Sequence, residues 1–109
     1  MTAIRIFRKN GAIVRVISKG HAGYAESGSD IVCAATSAIL ITAFNGCEKL
    51  AKISLGKVEK SGFLEFWLPE QTTEQQSQIC AHVLDAMAIG IKDLAAEYPS
   101  YVKSEEIQL

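Results

Sequence analysis

The chain has 109 residues, 49% of them hydrophobic, with 11 basic and 12 acidic side chains and a formal net charge of −1. That size fits one domain over residues 1–109 with enough apolar material for its own core, so no disulfide or metal staple is required. A nearly neutral chain without a basic stripe has little to attract phosphate backbones, and direct nucleic-acid binding is not expected.

Met1 to Arg8 lacks the long uncharged apolar core of a signal peptide. Ile4 and Ile6 alternate with Arg5 and Phe7, Lys9-Asn10-Gly11 interrupts, and Ala12 to Ile17 resumes with the doublets Ile13-Val14 and Val16-Ile17. Asn-Gly between β-rich runs predicts a hairpin, because both turn positions need positive φ. Ser18 to Gly28 is punctuated by Gly20, Gly23 and Gly28 and reads as a mobile loop. From Ile31 apolar and small residues recur every three or four positions to Leu50, with Ser29 or Asp30 as N-cap. The first face of this helix is small (Ala34, Ala35, Ala38), suited to lying close against a sheet, and Asn45-Gly46 is a place for a kink. Its richest apolar stretch, Ile31 to Phe44, is about 14 residues and too short for a membrane span, so no membrane partner is expected. Lys52 to Lys60 and Phe63 to Leu68 read as a second hairpin turned at Ser61-Gly62, with Phe63 and Trp67 helping to close the core and Pro69 ending it. Thr73 and Gln76 form a capping box for a second helix to about Glu97, with Ile79, Val83, Met87 and Leu94 on one face and Cys80, Leu84 and Ile91 beside them. Tyr98-Pro99 stops it, and Tyr101 to Leu109 is a last strand of weak alternation. The order ββαββαβ predicts an α+β domain, a single sheet with two helices packed on it.

The three cysteines are an odd number in a chain without an export signal, which argues for a reducing, cytoplasmic setting. Each is then either packing or chemistry. Cys33 falls in the first turn of the first helix, where unpaired amides and the helix dipole favour an anion, lowering a thiol pKa from about 8.5 and offering donors to an oxyanion. His21, on the glycine-rich loop, can take the thiol proton and return it to a leaving amine. By itself a Cys/His pair is a weak signal: a cysteine in an alanine-rich helix start is more often a small buried hydrophobe, and a loop histidine more often solvated. Asp30 is most simply an N-cap, with orientation of His21 as a second role. Ser37 lies one turn after Cys33 and fits either packing or the site. Cys47 and Cys80 fit partial burial, and His82 flanks the apolar face of the second helix as a surface or boundary residue. No C-x-x-C, H-x-x-x-H, H-E-x-x-H, P-loop or GxGxxG occurs, so neither a metal nor a cofactor is expected.

Gly20-His21-Ala22, the glycine-rich loop including Gly28, and Asp30-Ile31-Val32-Cys33-Ala34-Ala35 followed by Ser37-Ala38 together resemble the bacterial ribosomal-processing cysteine protease family, Prp. Length and element order agree, so the resemblance covers nearly the whole chain, and its motif is far more specific than a Cys/His pair. The resemblance implies a dyad of His21 and Cys33, with the family's acid and hydroxyl falling on Asp30 and Ser37. It implies an endopeptidase that removes the N-terminal extension of a large-subunit ribosomal protein precursor, cutting next to paired aromatic residues, and a cytoplasmic homodimer. Gly20, Gly23 and Gly28 would make the loop a flap that substrate orders, leaving the dyad apart in the free enzyme. Two other readings are a non-catalytic ribosome-associated assembly factor with an inert Cys33, and a redox-sensing thiol domain, which lacks a resolving cysteine nearby in sequence.

Overall fold

Strict alternation sets the first strand: Thr2, Ile4 and Ile6 are buried while Ala3 and Arg5 are exposed. In the computed structural model, which describes residues 1–26 and 29–109, this strand belongs to a five-stranded mixed sheet with two helices. The elements are β1 (Thr2–Lys9), β2 (Ala12–Lys19), α1 (Ile31–Ala51), β3 (Gly56–Lys60), β4 (Phe63–Trp67), α2 (Glu74–Glu97) and β5 (Val102–Gln108). The fold is therefore α+β in the expected order. The sheet runs β3-β4-β2-β1-β5, antiparallel throughout except for the parallel pair β1 and β5.

The doublets in β2 have a physical cause. Phe7 pairs with Arg15 but Arg8 pairs with Ile13, so the register shifts and Val14 is the extra residue of a bulge. A one-residue shift moves later side chains to the opposite face, which is how Ile13 and Val16 are both buried although three positions apart.

Helix α1 begins where the Asp30 side chain caps it and ends at Lys52, left-handed at φ 53°. It covers the sheet with Val32, Thr36, Leu40, Ala43, Phe44, Cys47 and Ala51. The small face expected to meet the sheet does not: Ala34 and Ala38 are exposed and Ala35 is half-buried, because the stripe through Val32, Thr36 and Leu40 buries more apolar surface than one through alanines. The helix runs unbroken through Asn45-Gly46. A Cβ on Gly46 would lie 3.2 Å from Val83, so the glycine lets α2 approach rather than breaking α1. At its full 21 residues α1 is long and apolar enough to cross a membrane by length and composition, which the shorter apolar stretch did not suggest. A third of that apolar window is buried, as the inner face of a core helix, while Ile31, Ile41 and Leu50 remain exposed. Because α1 continues to Ala51 and Leu55 N–H donates to Glu48 Oε2 at 3.0 Å, β3 starts at Gly56 rather than Lys52.

Phe66 closes the core from β4, fully buried and edge-on to Phe44 at 5.6 Å. Complete burial of such a side chain contributes about 1.5–3 kcal/mol. Phe63 and Trp67, expected in that role, lie on the other face of the strand with Glu65, half-buried. There Trp67 covers its cross-strand partner Gly56, where any Cβ would overlap the indole, and Arg15 stacks on its ring at 4.9 Å. Helix α2 starts with the expected capping box, Gln76 N–H donating to Thr73 Oγ1 at 3.1 Å and Thr73 N–H to Gln76 Oε1 at 3.0 Å. Its buried stripe is centred on Cys80, Leu84, Met87, Ala88 and Ile91, while Ile79, Val83 and Leu94 flank it half-buried.

The polar character of β5 follows from a charge cluster. Arg8 on β1 donates from Nη2 to Glu106 at 3.0 Å and from Nη1 to Asp85 on α2 at 3.0 Å, and Lys92 Nζ lies 3.9 Å from Glu106. The Arg8 hydrogen bond holds the Glu106 carboxyl below its ordinary value of 4.5, against the opposing effect of burial. A depressed carboxylate stabilises the fold above its unfolded pKa and loses that contribution as pH falls through its folded value. Glu106→Gln is therefore expected to lower the melting temperature at neutral pH, by about 4–8 °C per kcal/mol lost. In thermal melts the gap to wild type should close as pH falls below the ordinary glutamate value. A gap that persists at pH 2 would show that the carboxylate charge is not its source.

Candidate active site

The Asp30 carboxylate organises the start of α1. One oxygen, Oδ1, accepts from Cys33 N–H at 2.9 Å; the other, Oδ2, accepts from Tyr24 N–H at 3.0 Å and Ala25 N–H at 3.4 Å. The Cys33 amide is the largest cause that lowers its pKa, with the Ala25 and Tyr24 amides adding. Asp30 thus fills the N-cap role read from the sequence and also ties the preceding loop to the helix. It occupies the Cys33 amide, and Ala34 N–H bonds the Asp30 carbonyl at 3.0 Å, so neither donor is free for an oxyanion in this conformation.

Cys33 is half-buried on the first turn, and Ser37 follows one turn later, exposed. His21 lies two residues beyond β2 and is exposed, while its neighbour Ala22 is buried and anchors that stretch. His21, Cys33 and Ser37 line two adjoining cavities, of about 290 and 460 Å³. The smaller runs along the flank of α1 to Leu40 and Ile41 and across to Glu59, Phe63 and Leu64 of the second hairpin. The larger is walled by Gly23, Ala25 and Asp30. No hydrogen bond joins His21 to Cys33 among those found between described residues.

The glycines differ from one another. Gly20 has φ 92°, its N–H donates to Gly62 O at 2.8 Å, and a Cβ there would collide with the Met1 carbonyl oxygen, so it is pinned by close packing. Gly23 has φ 75° with open space around it. Gly28 lies outside the described residues. A residue that sequence reasoning treated only as a turn, Gly62, proves to be part of the site: a Cβ on it would lie 2.9 Å from His21 Nε2. The imidazole rests against a bare Cα at the tip of the β3–β4 hairpin, and Ser61 beside it lines both cavities. Nothing in the local sequence signals this, because the contact joins residues 41 positions apart.

Cys47 and Cys80 are buried more completely than expected, both at 0% exposure in the core between α1 and α2. Burial, reinforced by the neighbouring Cys80 thiol, pushes Cys47 up to about 12, and burial raises Cys80. His82 is exposed on α2. Among the described residues no three His, Cys, Asp or Glu side chains gather as a metal site would need.

Fold and site define a class first: a small α+β domain presenting a thiol and an imidazole on shared cavities, the equipment of a cysteine hydrolase. The chain belongs to the cysteine protease Prp family, whose model matches residues 1–103. It is 30% identical over 81 residues to the ribosomal processing cysteine protease Prp of Bacillus subtilis (strain 168), covering 72% of each chain. It superposes with a TM-score of 0.81 on SMU.848 from Streptococcus mutans, at 30% identity over 100% of this chain and 96% of that one. The fold is also that of a ribosomal processing protease Prp from S. aureus, solved in complex with a covalently linked product peptide, with a TM-score of 0.83 and 24% identity over 97% of this chain and 99% of that one.

Two outcomes follow for the thiols and the hairpin. Iodoacetamide should label one cysteine quickly at neutral pH, Cys33, with Cys47 and Cys80 reacting only on unfolding, because alkylation requires an accessible thiolate. Peptide mapping by mass spectrometry reads this, and early labelling of Cys47 would contradict the buried pair. Gly62→Ala should reduce peptide cleavage by roughly tenfold or more through displacement of His21, with a loss of about 1 kcal/mol from the positive φ measured separately by denaturation.

Proposed function

We propose that this protein is an endopeptidase with a Cys33–His21 dyad that removes the N-terminal extension of a large-subunit ribosomal protein precursor, cutting next to paired aromatic residues. The observation that carries the reading is the convergence of His21 and Cys33 on the same two cavities in a chain of the cysteine protease Prp family. The S. aureus protein has been solved both with a substrate peptide and with a covalently linked product peptide, and a thiol that bonds to peptide is the chemistry assigned here to Cys33.

In this reading His21 takes the Cys33 proton and the thiolate attacks the scissile carbonyl, forming a C–S bond. The C–N bond then breaks, and the amine leaves with the proton from His21. Water, deprotonated by His21, attacks the thioester and releases the carboxylate product and free thiol. The nucleophile lies between two cavities, which suits a peptide chain continuing on both sides of the cut bond. Because His21 and Cys33 are not hydrogen-bonded and Asp30 holds the Cys33 amide, the reaction needs the imidazole to close on the thiol and the oxyanion either to displace Asp30 or to use other donors. Asp30 is the residue that orders the helix start, and Ser37 is a cavity-lining hydroxyl within reach of substrate.

The same reading makes the protein a cytoplasmic homodimer. Supporting self-association, Leu50 and Ile89 are exposed on α1 and α2 at an apolar groove containing Ala38, Gly46 and Gly90. Exposed apolar patches of this kind commonly mark interaction sites.

The deciding experiment is incubation with a ribosomal-protein N-terminal peptide bearing two consecutive phenylalanines, followed by mass spectrometry. Cys33→Ala should abolish cleavage with an unchanged melting temperature, since the volume change is small at a half-buried position. His21→Ala should slow turnover by at least about 100-fold with little loss of stability, as expected for a general base. Full activity in purified Cys33→Ala would end the cysteine mechanism; absence of cleavage by wild type would favour the assembly-factor reading.

A further inference from the structure

Helix α2 is joined to β5 by the turn Tyr98-Pro99-Ser100-Tyr101, in which Tyr101 N–H donates to Tyr98 O at 3.0 Å. Proline's fixed φ suits the second position of such a turn, and the turn brings its first and fourth residues side by side. Val102 N–H also donates to Tyr98 O at 3.0 Å, and Thr2 N–H donates to Tyr101 O at 2.9 Å, so the corner is braced by β5 and β1. Tyr24 lies edge-on to both tyrosines, with ring centroids 5.7 Å from Tyr98 and 5.2 Å from Tyr101 and interplanar angles of 84° and 77°. These are favourable edge-to-face arrangements. Tyr24 is 43% exposed, a surface ring with its covered flank on two half-buried tyrosines. Its backbone is held independently, N–H to Asp30 Oδ2 at 3.0 Å. Gly23 and Ala25, its immediate neighbours, wall the larger cavity beside Cys33.

We propose that Tyr98 and Tyr101 are positioning residues for peptide binding: by seating Tyr24 they hold the wall formed by Gly23 and Ala25, and so set the affinity for the substrate segment entering that cavity. The proposal rests on the peptidase reading. Neither tyrosine lines the cavities with Cys33, and both act only through Tyr24. Without the seat the wall samples other conformations, and substrate has to order it on binding. That penalty falls on KM and leaves the chemical step of the bound complex little changed.

The test is steady-state cleavage of the diphenylalanine peptide by Tyr24→Ala, Tyr98→Ala, Tyr101→Ala, their phenylalanine counterparts, and the Tyr24→Ala/Tyr98→Ala double variant. Each alanine variant should raise KM roughly tenfold, equivalent to about 1.4 kcal/mol, with kcat changed by less than about threefold. Phenylalanine should restore KM, because the ring and not the hydroxyl makes the contact. The double variant should be little worse than either single one, the signature of residues acting through one contact. Hydrogen exchange at the amides from Gly23 to Glu26 in the free protein should quicken in the alanine variants and not in the phenylalanine ones. Tyr24→Ala leaves the α2–β5 corner untouched, so it judges the seat even if a corner variant loses its fold. Unchanged KM in Tyr24→Ala, additive losses in the double variant, or an increase in kcat/KM would each overturn the proposal. If wild type cleaves no peptide, it is the peptidase reading that fails, and unchanged exchange would separately overturn the seat.

Discussion

One carboxylate holds the two halves of the site in register. Asp30 accepts from the Cys33 amide with one oxygen and from the Tyr24 and Ala25 amides with the other. The first bond satisfies a helix-end donor that would otherwise lack a partner, and N-caps of this kind are worth about 1 kcal/mol. The second set fixes the loop relative to the thiol. Both functions need an acceptor with two well-separated lone-pair sites, which a serine or threonine cap lacks.

The rest of the cleft is built by excluding side chains. Gly20 passes the Met1 carbonyl too closely for a Cβ, and Gly62 leaves the space in which the His21 ring lies. These two residues are joined by a backbone hydrogen bond of 2.8 Å, so the end of β2 and the β3–β4 turn form one rigid frame around the imidazole. At Gly23, by contrast, a Cβ would meet nothing within 4 Å. Steric exclusion of a side chain therefore acts at Gly20 and Gly62 and not at Gly23.

Local chemistry made much of this readable in sequence. Asn10-Gly11, the Thr73/Gln76 box and the Asp30 cap each act within a few residues, and each stands where the sequence placed it. Errors arose where two faces competed. Glu65 between Phe63 and Trp67 is the signal that their face is turned from the core, and the ring that closes the core is Phe66 on the opposite face. The same holds for Ala34 and Ala38, whose smallness suggested close packing while the larger Val32 and Leu40 stripe was the buried one. The candidate site was legible as a motif, since Gly20-His21-Ala22 and Asp30 to Ala35 lie close in sequence. Gly62 and the Tyr98-Pro99-Ser100-Tyr101 corner were not, because they reach the site only through long-range packing.

The parallel pairing of β1 with β5 has a consequence for how such a chain is made. Thr2 lies beside Val102 and Arg8 beside Gln108, so every contact in that ladder spans a separation of 100 residues. At a synthesis rate of about 5–20 residues per second, the outer edge of β1 waits for something like 5–20 seconds before its neighbour exists. During that interval β1 and β2 can form a hairpin with an unpaired, Ile-rich flank, the kind of template that recruits strands from other chains. Arg5 and Arg8 on that flank lend it positive charge until Glu105 and Glu106 arrive to neutralise them. Nascent chains of this protein therefore carry their own electrostatic repulsion at a strand edge that stays open until the last strand is made.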